Sequence, residues 1–352
     1  MRKFTLLVAG LVLCGGTLTA CFGGSPPPPD PHDVLVVGDS VSFAFGCVLG
    51  SDGGSGNPCP AQPDFTTQND FSGACTITPG TLVLYNGGAA PAPSCDTAPA
   101  AANGRTWEQA ANQFVPKVAI IVTAGWEIVD RYIQSGSAPP DAQWAGPNGT
   151  DQTAAAYYSN QLFNAINMFR SKGAKVLIAN APYIDPPAPL PDPTGTPADC
   201  MWWEPDDASP PVSQGPCVQG QQWKAPQGSG VGYRSSHSKL NQFNDVVNIV
   251  KNSYFQNDAD VRVFNFKKHF NGPNNVYTDY VCPPPNDATV TPDPVTHNCV
   301  ITNPPGVVPA ILARAPDKGH LSAGGFDILK YYLEPCVRAM IPVANGDLSK
   351  CS

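Results

Sequence analysis

Short apolar runs recur along the chain at intervals, and each ends on residues that break a strand. Val34-Leu35-Val36-Val37 is apolar at every position, the pattern of a strand buried on both faces of a parallel sheet rather than half-exposed. Leu82–Tyr85 and Val118–Val122 repeat the pattern, and Lys175–Ala179 and Val261–Asn265 read as further strands that carry a charged residue each. Between them the apolar period changes to that of a helix: Arg105 to Phe114, Ala154 to Arg170 (Tyr158, Leu162, Ile166, Phe169), Lys239 to Tyr254 (Leu240, Phe243, Val246, Val247, Val250) and Phe326 to Leu333. The last helix is expected to stop near Leu333, because Pro335 has no N–H to continue it. Strand, helix, strand in alternation predicts an α/β protein, a three-layer α/β/α sandwich on a parallel sheet of about five strands with right-handed crossovers. The segments 46–81, 186–232 and 282–299 lack either period and are dense in Pro, Gly, Asp and Asn, so they read as long loops.

The chain of 352 residues is 42% hydrophobic and only 14% charged, with 40 prolines. Its formal charge of −8 becomes more negative if Arg2 and Lys3 are removed, which disfavours nucleic acid and anionic lipid as partners. Residues 1–20 have a basic start, an apolar run from Phe4 to Leu13 and a small-residue end, the layout of an export signal too short to span a bilayer. Leu18-Thr19-Ala20-Cys21 resembles a bacterial lipobox, which implies a lipid on Cys21 and an extracytoplasmic protein anchored to the cell membrane. Residues 21–32 then form a Gly/Pro-rich tether, with His32 expected in solvent, and 33–352 a single domain. Of twelve cysteines, Cys14 leaves with the signal and Cys21 takes the lipid. The even remainder suggests the disulfide framework of an oxidising compartment. Cys200 with Cys217, Cys282 with Cys299, and Cys336 with Cys351 each close a short loop, while Cys47, Cys59 and Cys75 staple the first long one. No Cys-x-x-Cys pair of zinc-site spacing occurs, so no metal is expected.

Candidate chemistry sits at the two ends of this domain. Gly38-Asp39-Ser40 follows the first strand, where open α/β sheets place their ligands, and a serine there exposes its hydroxyl and backbone N–H. Near the other end stands Arg314-Ala-Pro-Asp317-Lys-Gly-His320. A serine nucleophile needs a base and a carboxylate to orient it, and Asp317 and His320 are close enough in sequence to form that pair. Gly-Asp-Ser after the first strand with Asp-x-x-His near the C-terminus resembles the SGNH, or GDSL-type, serine hydrolases over most of residues 33–341. The resemblance implies a flavodoxin-like sheet and a Ser40–His320–Asp317 triad. It also implies an oxyanion hole from the N–H groups of Ser40 and of a glycine after the second strand, Gly88 with Gly87 in reserve.

The third strand opens into Thr123-Ala-Gly125-Trp126-Glu127, where the family commonly carries Gly-x-Asn-Asp. Trp126 replaces the amide donor with a single indole N–H, and loss of an oxyanion donor costs roughly 3 kcal/mol unless compensated. Trp126-Glu127 resembles the SGNH domains associated with envelope acyltransferases, which implies a substrate-binding role for both residues. The expected activity is hydrolysis of short-chain or glycan-linked acyl esters by a monomer that needs no cofactor. Transfer of the acyl group to a cell-envelope glycan is the alternative within that chemistry, and a non-catalytic glycan- or protein-binding lipoprotein the alternative outside it.

Overall fold

The computed structural model describes residues 32–50, 65–72, 75–77, 82–85, 88–91, 95, 105–123, 127–128, 131–132, 153–183, 237–273, 278–286, 289–302, 305–314 and 320–352. In chain order the elements are β1 (Val34–Gly38), α1 (Ser42–Val48), β2 (Thr67–Phe71), β3 (Leu82–Tyr85), β4 (Gly88–Pro91), α2 (Trp107–Phe114), β5 (Val118–Val122), β6 (Arg131–Tyr132) and α3 (Thr153–Ser171). There follow β7 (Lys175–Ala179), α4 (His237–Tyr254), β8 (Val261–Phe264), α5 (Phe266–Phe270), β9 (Tyr280–Val281), β10 (Asn298–Thr302), β11 (Pro305–Pro309), β12 (Ile311–Leu312) and α6 (Ala323–Met340).

Five parallel strands in the order β2-β1-β5-β7-β8 make the central sheet. Successive residues of each strand point to opposite faces, and the core divides accordingly. Leu35, Val37, Ala119, Ile121, Val176 and Ile178 pack with residues of α2, α3 and α4 on one side. Val34, Val36, Val118, Ile120, Leu177 and Phe264 pack with α1, α5 and α6 on the other. Both faces are therefore covered, which is why β1 and β5 read as unbroken apolar runs. This is the α/β/α sandwich expected from the sequence.

Two expectations about elements are corrected. The second strand of the parallel sheet is β2, within the stretch read as a loop, while Leu82–Tyr85 belongs to a separate antiparallel sheet, β4-β3-β6. β2, Thr-Gln-Asn-Asp-Phe, lies at the sheet edge with only Asp70 buried, so no apolar run announces it. Asp70 is held there by the Arg105 guanidinium, 3.1 Å from Nε and 3.3 Å from Nη2. The second correction is α6, which runs through Pro335 to Met340. Its buried residues Ile328, Leu329, Tyr332, Leu333, Cys336, Val337 and Met340 keep helical spacing straight across the proline. Burial of those side chains, at about 1.5–3 kcal/mol each, outweighs a cost of about 3 kcal/mol for one interior proline.

Disulfides close the loops Cys282–Cys299 and Cys336–Cys351 as expected, and Cys75–Cys95 is a third. Cys47 is disulfide-bonded to a partner outside the described residues. The proposed Cys200–Cys217 pair, Cys21 and the export signal also lie outside them. His32 is not in free solvent: its N–H donates to Phe114 O at 2.8 Å and its ring meets Phe114 edge-on. Among the described residues no helix is long and apolar enough to cross a membrane.

Candidate active site

The chain leaves β1 for the edge strand β2 and then returns to β5 on the other side, so the strand order reverses between β1 and β5. Crevices at such switch points, outside the carboxyl ends of the strands, are where open α/β sheets take ligands. The turn after β1 stands at that point. Gly38 has φ +141°, and a Cβ there would lie 1.7 Å from Val122 O, so only glycine lets the two strand ends close together. The Asp39 N–H donates to the same Val122 carbonyl at 3.1 Å. Asp39 itself is buried; its Oδ1 accepts from Val41 N at 2.9 Å, and its carbonyl accepts from Ser42 N and Ser42 Oγ. These bonds tighten the turn and leave Ser40 half-exposed at its tip. The Ser40 N–H takes no partner among the described residues.

From the opposite end of the chain His320 arrives over this turn, its Nε2 2.9 Å from Ser40 Oγ across 280 residues of sequence. With the ring proton on Nδ1, Nε2 accepts the serine hydroxyl. His320 is exposed, but its neighbours anchor it. Leu321 pairs with Arg314 in an antiparallel bridge and packs into the core. Ser322 donates from its N–H to Ala313 O at 3.0 Å and from its hydroxyl to Leu312 O, and accepts from Gly325 N as the N-cap of α6. Arg314 is buried, and its Nη2 donates to Tyr183 O at 2.7 Å. Asp317, the expected orienting carboxylate, lies outside the described residues, as do Trp126 and Gly87.

Gly88 is not where the sequence suggested. It opens β4 opposite Tyr85, so its backbone belongs to an antiparallel strand pair rather than to the end of the second parallel strand. The residue that does follow that strand is Ser72, buried, whose N–H donates to Gly38 O at 2.9 Å, directly beside the Ser40 turn. Asn86-Gly87, standing between two apolar segments, is the sequence composition that marks such antiparallel pairing.

Glu127 is corrected too. Only 1% of it is exposed. Its Oε2 accepts from Thr76 Oγ1 and its Oε1 from Ile77 N, both at 2.7 Å, so the carboxylate ties the segment after β5 to the disulfide-linked segment after β2 instead of meeting substrate. Beside it Thr123 and Tyr158 share a hydrogen bond of 2.9 Å. Burial first, then the negative charge of Glu127 and last that of Asp39 push the Tyr158 phenol well above its ordinary range, against the opposing bond to Thr123. Tyr158 therefore stays neutral.

No family model and no curated protein matches the chain. Among solved structures it is similar to a Bacteroides fragilis protein provisionally described as an acylhydrolase, at 9% identity and a TM-score of 0.36, over 90% of this chain and 92% of that one. Similarity at this level does not extend to the chemistry of either protein.

Proposed function

We propose that the protein is a serine hydrolase of acyl esters. The observation that carries the reading is the 2.9 Å approach of His320 Nε2 to Ser40 Oγ at the sheet's switch point. In this reading Ser40 Oγ attacks the ester carbonyl as His320 takes its proton. The tetrahedral intermediate collapses, the C–O bond to the alcohol breaks, and His320 returns the proton to the departing oxygen. Water, deprotonated by the same imidazole, then attacks the acyl-serine and frees the acid. Asp317 is assigned to hold Nδ1–H and stabilise the imidazolium. The unengaged N–H of Ser40 is assigned as an oxyanion donor. The reading is of an SGNH-type site in an exported protein, tethered through a lipid on Cys21.

The test is release of p-nitrophenol from its acetate and longer esters by the wild type, Ser40→Ala and His320→Ala. Turnover lost by at least a thousandfold in both variants, with unchanged melting, supports the reading. Hydrolysis that persists in Ser40→Ala defeats it. An added glycan that receives the acyl group faster than water does would make the protein an O-acyltransferase by the same acyl-serine.

A further inference from the structure

The carboxyl edge of the sheet opens beside β8 into a cavity of about 570 Å³ whose lining does not include Ser40 or His320. Its base is formed by Asn180 and Asn265, the first residues beyond β7 and β8, and one wall by the α4 stripe Asn241, Asp245 and Asn248, at the i, i+4, i+7 spacing of a single helix face. The base is rigid. Asn180 donates from Nδ2 to Asn265 Oδ1 at 2.9 Å and accepts Lys267 N at 2.7 Å.

Two carboxamides are engaged on one side alone. Asn241 Oδ1 accepts from Tyr183 Oη at 2.8 Å and Lys267 Nζ at 2.6 Å, and Asn265 Oδ1 accepts from Asn180. The NH2 groups of both take no partner among the described residues, and neither do the exposed side chains of Asp245 and Asn248. The cavity thus presents NH2 donors, a carboxylate acceptor and a carboxamide able to do either, next to the small apolar surfaces of Val263 and Pro273.

That arrangement selects among ligands. A hydroxyl both donates and accepts, so adjacent hydroxyls on a ring match alternating donors and acceptors, and the ring's C–H face fits the apolar patch. Lys267 and Lys268 also line the cavity, but their Nζ atoms already bond Asn241 Oδ1 and Ser352 O, and a small anion would meet the Asp245 carboxylate. A flat aromatic group would find no ring to stack on, because no aromatic residue is among those lining the cavity. We infer that this cavity is a carbohydrate-binding site, taking a sugar residue through Asn241, Asn265, Asp245 and Asn248. β8 lies three strand spacings from β1, roughly 14 Å along the same sheet edge, so a glycan seated in the cavity and running along that edge reaches Ser40. That last consequence rests on the esterase reading; the binding does not.

The test is saturation-transfer NMR and titration of the full chain with glucose, galactose, mannose, N-acetylglucosamine and glucuronate, with acetate and phosphate as anion probes. Binding of at least one sugar is expected, weakened tenfold or more both by Asn241→Asp, which keeps the oxygen that Tyr183 and Lys267 use, and by Asn248→Trp, which fills the cavity from an exposed position. Ser40→Ala should bind as the wild type, which separates this site from the proposed catalytic one. The inference is overturned if no sugar binds at tens of millimolar, if only acetate or phosphate binds, or if Asn248→Trp binds sugar undiminished.

Discussion

A side chain on Gly38 would collide with the backbone of Val122: a Cβ there lies 1.7 Å from the carbonyl oxygen and 2.6 Å from the carbonyl carbon. Backbone cannot move aside as a flexible side chain does, and φ +141° is strained for any L-residue. Gly38→Ala should therefore cost about 3 kcal/mol or more, the sum of a strained φ and overpacking. It should also displace the Ser40 turn, which hangs from Val122 through Asp39 N–H. Urea unfolding checks the first expectation. Esterase assays on the fraction still folded check the second.

How much of this was legible before the structure depends on where each residue's signal resides. β1, β5 and β7 are interior strands and advertise themselves as apolar runs, and β8, at the far edge, still carries the buried Val261 and Phe264. β2 is held by backbone pairing to β1 and by the Asp70–Arg105 ion pair, neither of which leaves a hydrophobic pattern. With no apolar run to mark β2, Leu82–Tyr85 reads as the second strand and Gly88 as the glycine that follows it, although both belong to the antiparallel sheet. Ser40 and His320 could be paired from chemistry alone, since a nucleophile needs a base. Glu127 could not be read correctly, because local sequence does not reveal that a charged residue is buried against Thr76 and Ile77. Pro335 misled for a related reason: a local rule for helix ends yielded to a stripe of core contacts formed only in the folded chain.

At the amino edge of the sheet Asp33 joins three strands. Its carboxylate accepts from Thr66 N at 3.0 Å and pairs with Lys117 Nζ at 2.7 Å, and its carbonyl accepts from Val118 N. Partial burial pushes its pKa up, but the bonds from Lys117 and Thr66 and the Lys117 charge outweigh this and leave it lowered. A carboxyl lowered on folding stabilises the protein above its unfolded pKa, about 4, and that stability is lost as pH falls through the folded value. Wild type should exceed Asp33→Asn at pH 7 by at most about 1 kcal/mol, given the pair's exposure to solvent. The gap should close as pH falls below about 4. Melting temperatures of both proteins from pH 7 to 3 test this, and a gap that widens in acid refutes it.

Cys336 and Cys351 close a loop with a sequence separation of 15, and both are buried against α6 and its neighbours. Constraining an unfolded loop of that size contributes about 3 kcal/mol. Cys336→Ala/Cys351→Ala should lower unfolding stability by about that amount. It should also loosen the C-terminal segment, because Asn265 N donates to Cys351 O at 2.8 Å next to β8. Hydrogen exchange at the Asn265 amide is the specific readout: it should quicken in the double variant while amides of β1 stay protected.

Glu127 is the residue through which the segment behind the proposed oxyanion side should be tunable without touching Ser40 or His320. In Glu127→Ala the Thr76 hydroxyl and Ile77 N–H lose their acceptor inside the protein, at about 1–3 kcal/mol for each buried group left unmade. In Glu127→Gln the amide oxygen still accepts from Ile77 N and the NH2 can donate to Thr76 Oγ1, so the loss should be far smaller. Stability should therefore rank wild type, Gln, Ala. Ester turnover should follow the same rank, since the tie joins the segments leaving β2 and β5 beside the Ser40 turn. A purely electrostatic readout separates charge from packing. Both substitutions remove the negative charge that helps raise the Tyr158 phenol, so its ionisation should begin at lower pH than in the wild type, although burial still holds it above the ordinary tyrosine range. NMR of ring-labelled tyrosines, with the Tyr158 signal assigned by its loss in Tyr158→Phe, reports this directly. Equal stability in all three proteins, with Tyr158 ionising unchanged, would show that the carboxylate does neither job.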